Sequence, residues 1–295
     1  MEAAEVLEHL PITAWHGPFD TEIQRNAMAA LEHGKVVVLP DLPFRVQTEE
    51  ADLLRPDVSG EERKNVSLDP GTGKLGNVAL APREAARIAA MMQRFADAAA
   101  QLLADLLPHY AGALERARTS FRPTEIAGRA YSARHDDRRL HVDAFPSRPQ
   151  RGRRILRLFS NIAPDGTERA WRVGEPFELY AKRFFPVAGR PLRGSAWLFQ
   201  RLGITKGRRS EYDHIMLGLH DKGKLDAAYQ VEAVHANVTF LPGTTWMCFT
   251  DQVLHAALSG HCALEQTFHL PVTAMAEPEC APLRVLERLA GRALV

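Results

Sequence analysis

The chain has 295 residues, 45% of them hydrophobic and 25% charged, with a formal net charge of +1. That composition excludes collagen-like, disordered and repeat architectures and fits a soluble enzyme with one large core. Cys248, Cys262 and Cys280 are too few and too scattered for a disulfide framework or a cysteine-rich zinc site, which suits a reducing compartment.

Met1 to Trp15 has acids among its apolar residues and no basic leader. No apolar run is long enough to span a bilayer, so the expectation is a cytoplasmic protein. A helix is predicted over Asp20–His33, followed by a short apolar strand at Lys35–Pro40. Residues 49–81, rich in Pro, Gly and Asn, read as loops. From Pro82 to about Arg118, apolar residues recur at helical spacing, with Pro108 as a break between two helices. Short strands follow: Ala130–Ser132, His141–Phe145 and Arg154–Ile162. Residues 173–226 return to helix and loop, with candidate helices at Glu175–Phe185, Ser195–Leu202 and Ser210–Leu219; an insertion of this length usually serves binding. Residues 237–262 read as strand, Pro242-Gly243 turn, strand, and a link into a strand carrying His255. An amphipathic helix over Pro282–Leu294 closes the chain. The expected fold is α+β, a double-stranded β-helix (jelly roll, cupin-like) braced by N-terminal helices and carrying a helical insertion. The whole chain is read as one catalytic domain: bracing elements to about 118, the jelly roll over 119–275 with its insertion at 173–226, and a terminal helix over 281–295.

His141-Val142-Asp143 with His255 supplies two imidazoles and a carboxylate, the protein ligands of a facial-triad iron site whose other face stays open for a cosubstrate and dioxygen. Residues i and i+2 of a strand share a face, so His141 and Asp143 can both point into a barrel. Charge is distributed unevenly: Arg118 to Arg209 holds 21 Lys and Arg against 8 Asp and Glu. A basic surface beside a metal site attracts an anionic substrate. Lys182, Arg183, Arg190, Arg193, Lys206, Arg208 and Arg209 are the candidate anion contacts of the insertion. Nucleic acid is not expected as a partner, since no helix-turn-helix, zinc-finger or RNP-like pattern is present. Nor is there a Walker loop, a dinucleotide fingerprint or a serine-centred elbow.

Four segments carry a family resemblance: Arg139 to Pro149, Gly152 to Ile162, Trp171 to Phe177 and Ala263 to Val272. They resemble the Kdo hydroxylases, bacterial Fe(II)- and 2-oxoglutarate-dependent dioxygenases that hydroxylate C3 of 3-deoxy-D-manno-oct-2-ulosonic acid (Kdo) in the lipopolysaccharide inner core. The resemblance implies His141, Asp143 and His255 as iron ligands, dioxygen as oxidant, and succinate and carbon dioxide as coproducts. It also implies Kdo-lipid A as substrate, whose carboxylate and phosphates suit the basic middle of the chain. A lipid-linked substrate further suggests peripheral contact with the inner membrane, through the basic face and aromatics such as Phe184 and Phe185; no stable protein partner is indicated.

Many related oxygenases anchor 2-oxoglutarate on a basic residue about ten positions after the distal histidine, yet residues 256–283 contain no Lys or Arg. Another strand must supply the cation. Parity groups Arg157 with Ile155, Phe159 and Asn161, and the Leu-Phe-Ser-Asn ending resembles a prolyl-hydroxylase pattern in which that face lines the cosubstrate. Arg157 is therefore the favoured anchor, with Arg122 as a second contact. A planar guanidinium matches a carboxylate in two-point pairing. Arg154 is the runner-up if a bulge shifts the register. Trp171 is a candidate pocket wall, and Gln266 and Thr267 are candidate hydrogen-bond partners of the cosubstrate or of the groups that support its contacts. Two other readings are open: an oxygenase of the same fold acting on another anionic substrate, and a cupin-like metal-binding protein without catalysis.

Overall fold

In a computed structural model, residues 1–60, 65–128, 132–192 and 194–295 are described. The expected strand at Ala130–Ser132 and the side chain of Arg193 lie outside or partly outside these residues. The strands are β1 (Leu7–His9), β2 (Val36–Leu39), β3 (Val66–Asp69), β4 (Lys74–Gly76), β5 (Glu115–Arg122), β6 (Arg154–Asn161), β7 (Arg169–Gly174), β8 (His235–Phe240), β9 (Thr245–Phe249), β10 (His255–Ser259) and β11 (Ala263–Leu270). The helices are α1 (Ala3–Val6), α2 (Thr21–Glu32), α3 (Pro82–Leu106), α4 (Phe177–Phe184), α5 (Ser195–Arg201), α6 (Glu211–Leu225), α7 (Ala227–Glu232) and α8 (Pro282–Ala290). Among the described residues none of these is long and apolar enough to cross a membrane.

A major sheet runs β1-β2-β9-β6-β11-β5-β3-β4, and a minor sheet runs β10-β7-β8. Apart from the parallel β1–β2 pair, their ladders are antiparallel. This is the two-sheet jelly roll the alternating segments predict, and the long α3 braces it. Pro82 starts that helix with a preset φ, and its buried stripe of Ile88, Met91, Met92, Phe95, Ala99, Leu102, Leu103 and Leu106 packs towards β5 and β11. Burying each large side chain is worth roughly 1.5–3 kcal/mol, which fixes the helix firmly on the outer face of the major sheet. Between the two sheets lies a second cluster, with Phe159, Trp171, Val173, Phe240 and Trp246 at its centre. Phe240 and Trp246 stack there with ring centroids 4.1 Å apart.

Several boundaries differ from expectation. Pro108 does end α3, because the residue before a proline is driven out of helical geometry, but a short turn and then β5 follow it, with no second helix. The polar stretch 49–81 contains β3 and β4, which extend the sheet edge. His141–Phe145 forms no strand: only His141 bridges to His255. The terminal helix stops at Ala290, where Gly291 turns left-handed at φ 67°.

The insertion after β7 folds as α4 to α7. Ser210 and Asp213 cap α6 reciprocally. Tyr180 of α4 donates its hydroxyl to the Leu219 carbonyl at 2.6 Å. A Cβ on Gly223 would stand 2.0 Å from the Tyr180 hydroxyl oxygen, so this crossing requires glycine. The two helices are thus locked together.

Candidate active site

Cross-strand register brings the site together. In β6 and β11, Arg157 stands opposite Thr267 and Phe159 opposite Glu265, so these four share the inner face of the major sheet. In the minor sheet Trp171 pairs with Ala257, and the i, i+2 rule places Arg169 beside Trp171. Between the faces lies a small chamber of about 70 Å³ lined by Arg122, Asp137, His141, Asp143, Arg157, Phe159, Arg169, Trp171, His255 and Ala257.

His141 and His255 exchange backbone hydrogen bonds of 3.1 and 2.9 Å, and the Asp143 amide donates to the Thr250 carbonyl at 2.8 Å. These bonds place three side chains in one corner. Their ligating atoms all lie within 4.8 Å of one another. The Nδ1 atom of each histidine meets a carbonyl two residues back, Arg139 at 2.7 Å and Val253 at 2.8 Å. With the proton held there, both Nε2 lone pairs are free for a metal. Burial lowers the pKa of both imidazoles and keeps them neutral. For Asp143 burial works upward, but the neighbouring charge of Arg157 outweighs it and holds the carboxyl well below the usual range. Two neutral imidazoles and one carboxylate on one side of an open chamber match the donor set of Fe(II). Trp171 stacks on His255 with centroids 5.3 Å apart and walls the chamber.

The arginines are not equivalent. Arg122 is paired with Glu265, its Nε 2.9 Å from Oε2. Arg157 lies between Asp143 Oδ2 at 2.9 Å and Glu265 Oε1 at 3.3 Å, and these two carboxylates outweigh burial and raise its pKa. Arg169 is only 1% exposed and makes no ion pair among the described residues. Its Nε has no hydrogen-bond partner and its Nη1 makes a long 3.4 Å contact to the Gly260 carbonyl. Burial, then the neighbouring charge of Arg122, pulls its pKa down to about 9. A buried guanidinium without a carboxylate calls for an anion.

Two of the predicted cosubstrate residues lie elsewhere. Arg154 projects from the other face of β6, where its Nε donates to Asp251 at 2.8 Å and its guanidinium covers the Phe249 ring at 3.9 Å. No bulge shifts the β6–β11 register, so Arg154 stays outside the chamber. Gln266 also points away, accepting the Thr119 hydroxyl at 2.6 Å and donating to the Ala117 carbonyl at 3.0 Å. Sequence reasoning missed Arg169 and Glu265. For Arg169 the signal was available, two residues before Trp171 on the same strand face.

Beyond Arg122 and Arg157 the chamber adjoins a trench of about 740 Å³, lined among others by Lys74, Arg118, Arg148, Lys206, Thr267 and His269. Lys74, Arg118, Arg148 and Lys206 form no ion pair among the described residues. Of the other insertion cations, Lys182 pairs with Glu178 and Arg183 lies over the Tyr229 ring. The Arg209 guanidinium donates to the Pro146 carbonyl.

A jelly roll with this triad defines a mononuclear non-haem metal site of the oxygenase kind. The model of the 3-deoxy-D-manno-oct-2-ulosonic acid (Kdo) hydroxylase family matches residues 14–293, and the chain belongs to that family. Among solved structures, one of the Kdo hydroxylase KdoO, a non-heme Fe(II) alphaketoglutarate-dependent dioxygenase, in complex with alphaketoglutarate and Fe(III) is 46% identical. It covers 98% of this chain and 97% of that chain with a TM-score of 0.95. The cobalt(II) complex of KdoO is 47% identical over the same shares, also at a TM-score of 0.95. The complex with succinate and Fe(III) is 46% identical at a TM-score of 0.95. No curated protein matches the chain.

Proposed function

We propose that this protein is an Fe(II)- and 2-oxoglutarate-dependent dioxygenase that hydroxylates C3 of Kdo in Kdo-lipid A. The observation that carries the proposal is the convergence of His141, Asp143 and His255 beside a buried arginine that makes no ion pair among the described residues. His141, Asp143 and His255 hold the metal. Once bound there, Fe(II) with 2-oxoglutarate supplies oxidation of a substrate C–H bond by dioxygen, with succinate and carbon dioxide as coproducts.

The chain's own residues bind and orient. Arg169 takes the far carboxylate of 2-oxoglutarate, with Arg157 and Arg122 beside it and Glu265 holding those two in place. Arg157 also fixes the Asp143 carboxylate. Trp171 and Phe159 form the apolar part of the chamber's otherwise charged wall and shield the reacting bond from water. Lys74, Arg118, Arg148 and Lys206 hold the acidic groups of the glycolipid in the trench, so that one sugar reaches the metal. Because the substrate is lipid-linked, the enzyme works against the inner face of the cytoplasmic membrane.

The test is incubation of the purified protein with Fe(II), 2-oxoglutarate, air and Kdo-lipid A, followed by mass spectrometry. One oxygen gained on the Kdo moiety, with an equivalent of succinate, is the expected result. Succinate without a modified lipid would reject the substrate while keeping the oxygenase. No succinate under any condition would leave a metal-binding protein.

A further inference from the structure

The insertion carries a surface that the chemistry of the chamber does not use. From Leu179 to Ser210 the chain contains eight Lys and Arg and no Asp or Glu. Within it Leu192 is 81% exposed, Trp197 57%, Leu198 46%, Leu202 62% and Ile204 52%. The short helix α5 therefore shows its tryptophan and leucine to solvent, the reverse of an ordinary surface helix, while Ala196 and Phe199 are half-buried. Exposed cations flank this strip: Arg190 on one side, Arg201 within it, Lys206 and Arg208 on the other. The strip is tied to the substrate trench. The Lys206 amide donates to the Ser147 carbonyl at 2.9 Å, and Ser147 and Lys206 both line the trench.

Large apolar side chains framed by cations, with no acid among them, are complementary to an anionic bilayer: the rings and aliphatic chains enter the acyl boundary and the cations meet the headgroups. We infer that the Leu192–Ile204 strip docks this protein on anionic phospholipid and holds the trench mouth at the membrane surface. A lipid-anchored sugar then enters the trench without leaving the bilayer. This inference rests on the glycolipid reading above, and it replaces the expected anchors: Phe184 is 4% exposed and Phe185 packs partly buried against the core, so neither reaches a membrane.

The experiment is sedimentation of the full chain with sucrose-loaded vesicles of phosphatidylglycerol and phosphatidylethanolamine, and with phosphatidylcholine vesicles as the neutral comparison. The wild type is expected to bind the anionic vesicles, less so as salt rises, with a blue shift of tryptophan emission. A Trp197→Ser/Leu198→Ser/Leu202→Ser variant is expected to bind at least about tenfold more weakly, since three apolar side chains no longer enter the bilayer. It should keep its thermal midpoint and its rate on a deacylated, water-soluble Kdo oligosaccharide, and lose at least about tenfold in rate on vesicle-embedded Kdo-lipid A, in step with the lost docking. Failure of the wild type to sediment with anionic vesicles, or undiminished binding by the variant, would overturn the inference. Concentration-dependent self-association that the variant abolishes would also overturn it, by assigning the strip to a second copy. Vesicle binding lost in the variant, with no hydroxylation of any Kdo substrate by the wild type, would retain docking and reject the glycolipid reading instead.

Discussion

Replacing Arg169 with methionine separates ligand binding from folding. Methionine is similar in reach and apolar, so it fills the space without a charge. Arg169 is 1% exposed and has no carboxylate partner among the described residues, so its loss leaves no acid stranded. Even a whole buried ion pair can often be exchanged for packed apolar side chains at no cost or with a gain of about 1–4 kcal/mol, and here only one charge is removed. The thermal midpoint should stay unchanged or rise. A carboxylate held by two charge-assisted hydrogen bonds gains about 1.5–3 kcal/mol from each. Losing both weakens 2-oxoglutarate binding by roughly 3 kcal/mol or more, at least about a hundredfold. Initial rates of succinate formation over a 2-oxoglutarate series, with a thermal melt of the same preparation, measure both quantities. Arg154→Met is the contrast: it abandons buried Asp251, should cost about 3–5 kcal/mol of stability, and should leave the KM for 2-oxoglutarate near the wild-type value. An Arg169→Met protein that melts several degrees lower with its KM for 2-oxoglutarate within threefold would refute the reasoning.

Fe(II) at about a hundred times its Kd should stabilise the anaerobic protein by about 2.7 kcal/mol, and His255→Ala should abolish the shift in thermal midpoint. Arg148→Ala/Lys206→Ala should raise the KM for Kdo-lipid A roughly tenfold at low salt with little change in kcat, and the difference should shrink as salt screens the trench. Burial lowers the His269 pKa to about 4, from about 6.5 for a free imidazole. Between those values the unfolded chain binds a proton that the folded protein refuses. Stability from this group is therefore fully present above about pH 6.5 and falls towards pH 4, by at most about 3 kcal/mol. Denaturant melts across that window should show a flatter slope for His269→Gln.

The fold was legible where one local rule acts alone. Alternation in Arg154–Asn161 separated Arg157 from Arg154, and the ladder with β11 puts only Arg157 in the chamber. The helical stripe of α3 and its stop before Pro108 followed from side-chain period and proline sterics. Tertiary pairing was less visible. His141 needs no strand of its own, since a single bridge to His255 suffices to aim it. Gln266 shares a strand with Glu265, but the side-chain period of two sends their side chains to opposite faces, and composition does not tell which face meets the metal. Arg169 went unread because an arginine early in a strand looks like a solvent-facing residue; its burial with no ion pair among the described residues is a property of the folded chain.

The most direct measurement is hydroxylation of Kdo-lipid A under isotopically labelled dioxygen, with the product's Kdo analysed by mass spectrometry and NMR. One labelled oxygen at C3, dependent on 2-oxoglutarate and absent in His141→Ala, is the result this account predicts. A product oxygen drawn from water, or a Kdo left unmodified while 2-oxoglutarate is consumed, would contradict it.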